Sequence, residues 1–308
     1  MEARRGHMTP LHIRLGADRD PVDLVQGSMT FIGAGTVLLR YGGFTILTDP
    51  SFLPKGEEAP LGYGLRSRRL THPSLQVDDL PPIDLVVLSH YHGDHFDPAA
   101  QEQLDRLMPI ITTPHAAGIL EQNGFWAACG LSTWNTVAFD KGDTQLRITA
   151  LPGNHRPGPL SRLFPPVMGT LLEFRSPADT QRFTVYISGD TLMCDELLDI
   201  PERVPVIDLA LLHLGGTRIM GMLLTMDGKE GVELMKLLSP RLTIPIHFHD
   251  YSVYRSPLSD FQRRVEEAGL GSKVQYVSHG ETVSLHIEPA LMAPSRERRQ
   301  RRERYRAA

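Results

Sequence analysis

The nine residues SHYHGDHFD, at positions 89–97, place three histidines and two aspartates in one short segment. The segment overlaps the end of IDLVVLS (83–89), whose continuous apolar centre predicts a strand that is buried on both faces. Gly93 supplies the backbone freedom that a turn at this point needs. Four side chains with nitrogen or oxygen donors can converge at the turn: His90, His92, Asp94 and His95.

Neutral imidazoles and carboxylates are ligands that zinc, manganese and iron accept, so this segment predicts a metal site. A loop of solvated surface histidines would not explain such close clustering. One cation has room for only some of these donors, and two cations need further groups from distant segments. Three residues that each follow an apolar segment are candidates: His155 after ITALPGN, Asp190 after VYISG, and His247 after TIPI.

Helices are expected at several places outside this segment. Asp97 and Pro98 resemble an N-cap followed by proline at the first helical position, which predicts a helix through about Met108. A second helix is expected over 115–122. Helical spacing of apolar residues predicts two more helices, within DGKEGVELMKLL (227–238) and PLSDFQRRVEEAGL (257–270).

Short β segments separated by turns dominate the rest of the chain. An antiparallel meander is predicted from LHIRLG (11–16), MTFIG (29–33), TVLLRY (36–41) and FTILT (44–48). The polar stretch from Asp49 to Pro82 is too irregular for a core element and is expected to form one wall of a site. Two β-rich halves with helices outside them predict an α+β fold with a sheet-on-sheet core.

Composition limits the classes of partner. The formal net charge of −4 and the pI near 6.3 provide no basic field for nucleic acid or anionic lipid. Two cysteines, Cys129 and Cys194, are too few for a disulfide framework and fit a reducing cytoplasm. No signal peptide is predicted, because the N-terminal MEARRGHMTPLHIRLG has positive charge but no apolar stretch behind it. No membrane span is predicted, because no apolar run approaches about 18 residues. The expected location is therefore cytoplasmic.

The chain is expected to form one catalytic domain over residues 1–290. Residues 291–308 contain SRERRQRRERYRAA, with seven arginines against two glutamates, and this predicts a solvated tail.

The sequence resembles the metallo-β-lactamase superfamily, whose HxHxDH motif is present at residues 90–95. The resemblance extends from about Met29 to Gly280. It is strongest to the branch that contains ascorbate-6-phosphate lactonase and the phospholipase D that hydrolyses N-acylphosphatidylethanolamine. The segments that carry this narrower resemblance are LTDP (47–50), LPPIDLVVLSHYHGDHFD (80–97), SGDT (188–191), DLALLHLGG (208–216) and IPIHF (244–248).

The resemblance implies a four-layer αββα sandwich with two divalent metal ions at one edge of the sheets. It implies that His90, His92 and His155 hold one cation, that Asp94, His95 and His247 hold the other, and that Asp190 bridges them. Zinc is the expected metal, with manganese or iron as alternatives. A metal-bridging hydroxide is the expected nucleophile, and Asp94 is expected to orient it or to carry its proton.

Other residues of the candidate site keep alternative roles. Asp49 is either an orienting support beneath the site or an ordinary Asp-Pro turn. The branch often has histidine in a GHAT-like turn, whereas this chain has GAGT at 33–36. His213 either faces the substrate as a catalytic residue or forms a buried hydrogen bond. His249 is a rival ligand to His247, while Tyr251, Tyr254 and Arg255 are either substrate contacts or surface residues.

The leading hypothesis is a hydrolase that cleaves a small ester, lactone or phosphoester. A phosphodiesterase or nuclease, a non-haem iron oxidoreductase and a non-enzymatic metal scaffold are the alternatives. Nucleic acid is not the expected partner, because only 56 residues separate Asp190 from His247 and leave no room for a large binding insertion. The sequence leaves the oligomeric state open between a monomer and a homo-oligomer. Pocket walls are expected from 50–82, 156–168 and 215–226, with an anionic group meeting one of three arginines, Arg156, Arg162 or Arg218.

Overall fold

The computed structural model describes residues 11–16, 26–62, 64–155, 164–175, 182–219 and 221–285. The predicted tail, the domain limit at residue 290 and the side chains of Arg156 and Arg162 lie outside these ranges. In the described part of the chain, no helix reaches the length and apolarity that crossing a membrane would need.

The described residues form strands that are short and mostly buried, together with five α-helices. In chain order the strands are β1 (Leu11–Arg14), β2 (Gly27–Gly33), β3 (Thr36–Tyr41), β4 (Phe44–Thr48), β5 (Glu58–Gly62), β6 (Leu65–Arg68), β7 (Leu85–Val87), β8 (Ile110–Thr112), β9 (Ala128–Gly130), β10 (Thr136–Lys141), β11 (Thr144–Leu151), β12 (Gly169–Arg175), β13 (Arg182–Ile187), β14 (Leu209–His213), β15 (Arg218–Ile219), β16 (Met222–Leu223), β17 (Leu242–Ile246) and β18 (Thr282–Leu285). The helices are α1 (Pro98–Gln103), α2 (Pro114–Gln122), α3 (Ile200–Arg203), α4 (Gly228–Leu238) and α5 (Leu258–Glu267).

Two seven-stranded sheets organise these strands. The first sheet has the order β18-β2-β3-β4-β7-β8-β9, and the second has the order β1-β10-β11-β12-β13-β14-β17. In the first sheet an antiparallel part is followed by the parallel part β4-β7-β8-β9. In the second sheet the antiparallel strands β10 to β13 lie between a parallel part, β13-β14-β17, and the edge strand β1. The predicted meander is present as β2-β3-β4. The prediction was wrong for β1, which pairs in parallel with β10, because local alternation does not specify a distant partner.

The packing confirms the four-layer αββα sandwich. A central cluster joins residues of both sheets, such as Ile46 and Val87 of the first and Ile148 and Ile244 of the second. Helices α1 and α2 cover the outer face of the first sheet through a second cluster. Helices α3, α4 and α5 cover the outer face of the second sheet. Fully burying one such Leu, Ile or Phe side chain contributes about 1.5–3 kcal/mol of stability. These clusters therefore supply most of the free energy that holds the four layers together.

Strand direction determines where the site lies. Strands β4 and β7 are parallel, and so are β13, β14 and β17, so each set ends at one edge of its sheet. Strand β11 runs in the same direction as β13, because both are antiparallel to β12. One predicted site residue lies at the carboxyl end of each of these six strands or in the loop that follows it: Asp49, His90, His155, Asp190, His213 and His247.

Helix boundaries agree with the sequence in part. Asp97 is the N-cap of α1, as predicted, and its side chain accepts a hydrogen bond from the backbone N–H of Ala100. Helix α1 ends at Gln103 and not near Met108, because Leu104 adopts an extended conformation. Asp227 caps α4, and Gly269, with a φ of 67°, follows Ala268, the C-cap of α5.

Candidate metal centre

The segment SHYHGDHFD forms a tight turn after β7. The backbone N–H groups of His95 and Phe96 both donate to the carbonyl of His92, at 3.1 and 2.8 Å. Gly93 lies against Pro60, whose carbonyl accepts its N–H at 2.9 Å, and a Cβ at residue 93 would collide with Pro60. The requirement for glycine therefore comes from this close approach. Gly93 is not among the residues with positive φ, so the expected need for backbone freedom was wrong.

One group of donors consists of three imidazoles, from His90, His92 and His155. Their candidate ligand atoms lie within 4.8 Å of one another. Nε2 of His90 is 2.9 Å from Nδ1 of His92, and the His90 and His155 rings have centroids 4.5 Å apart. His90 and His155 are buried, whereas His92 is partly exposed. This group therefore has one face toward solvent.

A second group is formed by Asp94, His95, Asp190 and His247, all of them buried, with candidate ligand atoms again within 4.8 Å of one another. Nε2 of His95 is 3.4 Å from Oδ2 of Asp190 and 3.9 Å from Oδ2 of Asp94. Nδ1 of His247 is 3.4 Å from Oδ1 of Asp190. The structure thus brings together all seven side chains that the sequence proposes as ligands.

Polar atoms without partners show whether these donors fit a cation. Among the described residues, five buried donor or acceptor atoms of the two groups have no hydrogen-bond partner: His95 Nε2, His155 Nε2, His247 Nδ1, Asp94 Oδ1 and Asp190 Oδ1. Leaving one such atom unsatisfied costs about 1–3 kcal/mol, and more for a charged group. A divalent cation in each group would satisfy these atoms, and the nitrogen and oxygen donor set is suited to zinc, manganese or iron.

The electrostatics of the two groups also favour a cation. Burial opposes ionisation of Asp190, but the imidazoles of His247 and His95 outweigh it and hold its pKa well below the usual range. Burial opposes protonation of His95, yet Asp190, Asp49 and Asp94 raise its pKa well above normal. Burial lowers the pKa of His92 to about 3, so this ring keeps a free lone pair at neutral pH. Three ionised carboxylates around His95 thus create a site for positive charge.

Asp49 lies beneath the second group. Its Oδ1 accepts the backbone N–H of Ser89 at 2.7 Å, and its Oδ2 accepts the Ser89 hydroxyl at 2.9 Å. Oδ2 also lies 3.0 Å from Nδ1 of His95 and 3.1 Å from Nε2 of His213. A bond from Nδ1–H of His95 to this carboxylate leaves Nε2 as the nitrogen that faces Asp94 and Asp190.

His213 and His249 lie outside the two groups. His213 is fully buried, with Nε2 near Asp49 and Nδ1 3.3 Å from the Ser188 hydroxyl, so its described contacts are those of a buried hydrogen-bonding side chain. A Cβ at Gly35 would lie 3.0 Å from Nε2 of His213, so the GAGT turn leaves room for this ring. His249 is exposed, and its Nε2 accepts the backbone N–H of Leu258 at the start of α5.

Several residues contact the candidate ligands although the sequence does not identify them as partners of those ligands. The hydroxyl of Thr225 donates to Oδ2 of Asp190 at 2.7 Å, and the carbonyl of Leu224 lies 3.0 Å from Nδ1 of His155. The Tyr254 hydroxyl is 2.6 Å from Nε2 of His247 and 3.3 Å from Oδ2 of Asp94. The sequence proposes Tyr254 only as a substrate contact or a surface residue.

A cavity of about 660 Å³ opens beside the first group. His92 and His155 lie in its wall together with Tyr91, Asn154 and His115, a histidine for which the sequence gives no partner. Its apolar lining comes from Leu61 and from the segment Phe164–Val167, part of the predicted 156–168 wall. Arg218 is not among the lining residues; it bonds the carbonyl of Gly221 and lies 3.7 Å from Asp227.

Comparison with known proteins agrees with this architecture. The family model described as "Beta-lactamase superfamily domain" matches residues 45–248. A "UPF0173 metal-dependent hydrolase" of Natranaerobius thermophilus is 27% identical over 240 residues, covering 78% of this chain and 91% of that protein. The "N-acyl-phosphatidylethanolamine-hydrolyzing phospholipase D 1" of Caenorhabditis elegans is 29% identical over 240 residues, covering 72% of this chain and 64% of that protein.

Among solved structures, the isothiocyanate hydrolase from Delia radicum gut bacteria superposes with a TM-score of 0.71 at 23% identity. The match covers 85% of this chain and all of that one, which supports the fold alone. The family match extends over residues 45–248 and includes the HxHxDH segment, Asp190 and His247. The chain therefore belongs to the β-lactamase superfamily and has its metallo-β-lactamase fold.

Proposed function

We propose that this protein is a metal-dependent hydrolase that cleaves a small ester, lactone or phosphoester with two divalent cations. His90, His92 and His155 would hold one cation, and Asp94, His95 and His247 the other, with Asp190 between them. The observation that carries the proposal is the convergence of five buried nitrogen and oxygen atoms that have no hydrogen-bond partner among the described residues. Zinc is the proposed metal, and the identical donor set also accepts manganese or iron.

Bound divalent cations would supply a water of lowered pKa and would polarise the carbonyl or phosphoryl oxygen of the substrate. The chain itself contributes orientation and proton acceptance. The imidazoles of His95 and His247 outweigh burial and lower the pKa of Asp94, so this carboxylate is ionised at neutral pH. Asp94 is therefore proposed to accept a proton from the attacking water at the carboxylate oxygen that does not hold the cation.

The cavity supports a small organic substrate. Its volume of about 660 Å³ lies in the range of small-molecule sites, and it opens on His92 and His155 of the first group. Phe164, Pro165 and Pro166 provide a stiff apolar wall against which an acyl chain or ring could pack. The reacting bond would then lie near His92, with the apolar part of the substrate along this wall.

The names of the relatives support hydrolysis as the coarse activity, since those relatives are called metal-dependent hydrolases or a phospholipase. Hydrolysis of a phosphodiester uses the same chemistry, so only the substrate that is turned over distinguishes it from hydrolysis of an ester, lactone or phosphomonoester. Oxidation by non-haem iron would need molecular oxygen, so paired anaerobic and aerobic assays separate it from hydrolysis. A non-enzymatic scaffold would show bound metal without turnover of any substrate.

The test combines metal analysis with an assay on esters, lactones, phosphomonoesters and phosphodiesters. We expect about two cations per chain in the wild type, oxygen-independent turnover of at least one substrate, and a loss of at least 100-fold in His92→Ala and Asp190→Asn. His12→Ala is the matched control, because His12 is an exposed residue of β1 that pairs with Asp140. Full turnover in Asp190→Asn, or protein that takes up no cation, would refute the proposal.

A further inference from the structure

The buried imidazoles of the centre differ in which ring nitrogen is engaged by the protein. Nδ1 of His95 lies 3.0 Å from Oδ2 of Asp49, and Nδ1 of His155 lies 3.0 Å from the carbonyl of Leu224. In both rings Nε2 is buried and has no hydrogen-bond partner within the described ranges. His247 is reversed. Its Nε2 lies 2.6 Å from the Tyr254 hydroxyl, and its Nδ1 is the buried nitrogen without a partner in the described part of the chain.

We propose that Tyr254 is a positioning residue that holds His247 through Nε2, so that His247 offers Nδ1 to the second cation. This inference rests on the proposed function, because it assumes that the second group binds a cation. Nδ1 of His247 lies 3.4 Å from Oδ1 of Asp190, which also lacks a partner among the described residues. The two unsatisfied atoms therefore face each other, as expected for two ligands of one cation.

One N–H on His247 and one O–H on Tyr254 are enough for both hydrogen bonds of this arrangement. A neutral imidazole carries one N–H, and the other nitrogen keeps a lone pair for a cation. If Nε2–H of His247 donates to the Tyr254 oxygen, the Tyr254 hydroxyl remains free to donate to Oδ2 of Asp94, which lies 3.3 Å away. Tyr254 thus connects His247 and Asp94, two proposed ligands of the same cation.

The backbone around Tyr254 explains how its ring reaches this place. The N–H of Tyr254 donates to the carbonyl of Tyr251 in a turn, and the N–H of Arg255 donates to the carbonyl of Gly215. The Tyr254 ring lies directly over Gly215, where a Cβ would be 3.0 Å from the ring and 2.9 Å from the carbonyl of His247. Gly215, two residues after the end of β14, therefore makes room for the tyrosine.

The first experiment is a long-range 1H–15N correlation spectrum of 15N-histidine-labelled, zinc-loaded protein, which reports the ring nitrogen that carries the proton. We expect His247 to carry its proton on Nε2 and the cation on Nδ1, whereas His95 and His155 show the opposite pattern. This spectrum tests the proposal in the wild type. A His247 that binds zinc through Nε2 would overturn the inference alone, whereas protein that takes up no cation would remove the proposed function as well.

The second experiment compares Tyr254→Phe with Tyr251→Phe. Tyr251 lies in the same loop, but its hydroxyl contacts Ser51 and Arg69 and not a proposed ligand. In Tyr254→Phe we expect faster solvent exchange of the Nε2 proton and about a 10-fold or larger loss of affinity for the second zinc. Tyr251→Phe should leave both unchanged. Zinc affinity and Nε2 exchange in Tyr254→Phe equal to those of the wild type would contradict the proposal.

Discussion

At the scale of single residues, the metal centre depends on side chains that never face the cavity. Asp49 is fully buried and contacts Ser89, His95 and His213, so one carboxylate orients an imidazole of the second group. The sequence alone leaves Asp49 open between this support and a simple turn. The choice depends on distances between β4, β7 and β14, and no local pattern encodes these distances.

Replacing Asp49 by asparagine tests this support. An amide can accept the N–H of Ser89, but it is neutral and offers only one oxygen to the groups that now share both oxygens of Asp49. We expect affinity for zinc to fall by about 10–100-fold, the range for losing an orienting partner of a ligand. Competition titration with a chromophoric chelator measures it. Asp143→Asn, in an exposed turn, is the control, and equal affinity in both variants would contradict the role of Asp49.

Substitutions of His213 distinguish the two roles that the sequence leaves open for it, a buried hydrogen bond and a substrate contact. If it supports Asp49, His213→Phe removes a hydrogen bond to a buried charge, which costs about 1.5–3 kcal/mol of stability. We then expect lower thermal stability and weaker zinc binding, with partial rescue in His213→Gln, whose amide can still donate. Thermal unfolding and zinc titration measure both effects. Wild-type stability and zinc affinity combined with lost turnover would instead indicate a substrate contact.

At the scale of elements, periodicity identified most strands and helices but not their partners. The apolar run before SHYHGDHFD predicted the buried strand β7, and Asp97 predicted the start of α1. The same reasoning failed for β1, which lies in the second sheet although its sequence neighbours form the first. The pairing of β18 with β2 could not be predicted either, because the two strands are far apart in the sequence and local alternation does not specify such a partner.

Helix α4 is tied to the loop after Asp190 by a carboxyl group with an unusual pKa. Glu230 accepts the backbone N–H of Met193 at 3.2 Å. Burial, with smaller contributions from Asp227 and Glu233, raises the pKa of Glu230 to about 7 from its ordinary 4.5. The folded chain therefore holds this proton more tightly than the unfolded chain. The resulting stability is complete below pH 4.5 and is lost as the pH rises through about 7.

We therefore expect Glu230→Gln to gain stability relative to the wild type as the pH rises from 5 to 8. The glutamine oxygen can still accept the Met193 N–H, but the group no longer ionises. Urea unfolding at several pH values gives the difference in the free energy of unfolding between the two proteins. Glu121→Gln, on the exposed face of α2, should show no such trend. A constant difference between wild type and Glu230→Gln would mean that Glu230 does not titrate in this window.

At the scale of the whole molecule, the two sheets meet at an edge where six separate chain segments contribute to one site. The sequence could predict the residues, because histidines and aspartates directly after apolar strands are conspicuous, and the HxHxDH motif identified the superfamily. It could not predict Thr225 or Leu224, nor the contact of Tyr254 with His247, because these residue types are ordinary and their positions follow from packing. The cavity wall at 164–167 was anticipated only as a stiff apolar segment.

The clustering of ionised carboxylates implies that cations stabilise the whole fold. Asp49, Asp94 and Asp190 are buried around His95, so removal of the cations leaves their charges balanced only by imidazoles. A ligand at about 100 times its Kd adds about 2.7 kcal/mol, which for a chain of this size corresponds to a rise in Tm of several degrees. We expect a chelator to lower the Tm by this amount and added zinc, manganese or iron to restore it in order of affinity. Differential scanning calorimetry measures the shift, which should persist in His12→Ala and shrink in Asp190→Asn. A chelator-treated protein with the Tm of the metal-loaded form would exclude a stabilising cation, and with it the explanation for the five buried ligand atoms that lack a hydrogen-bond partner among the described residues.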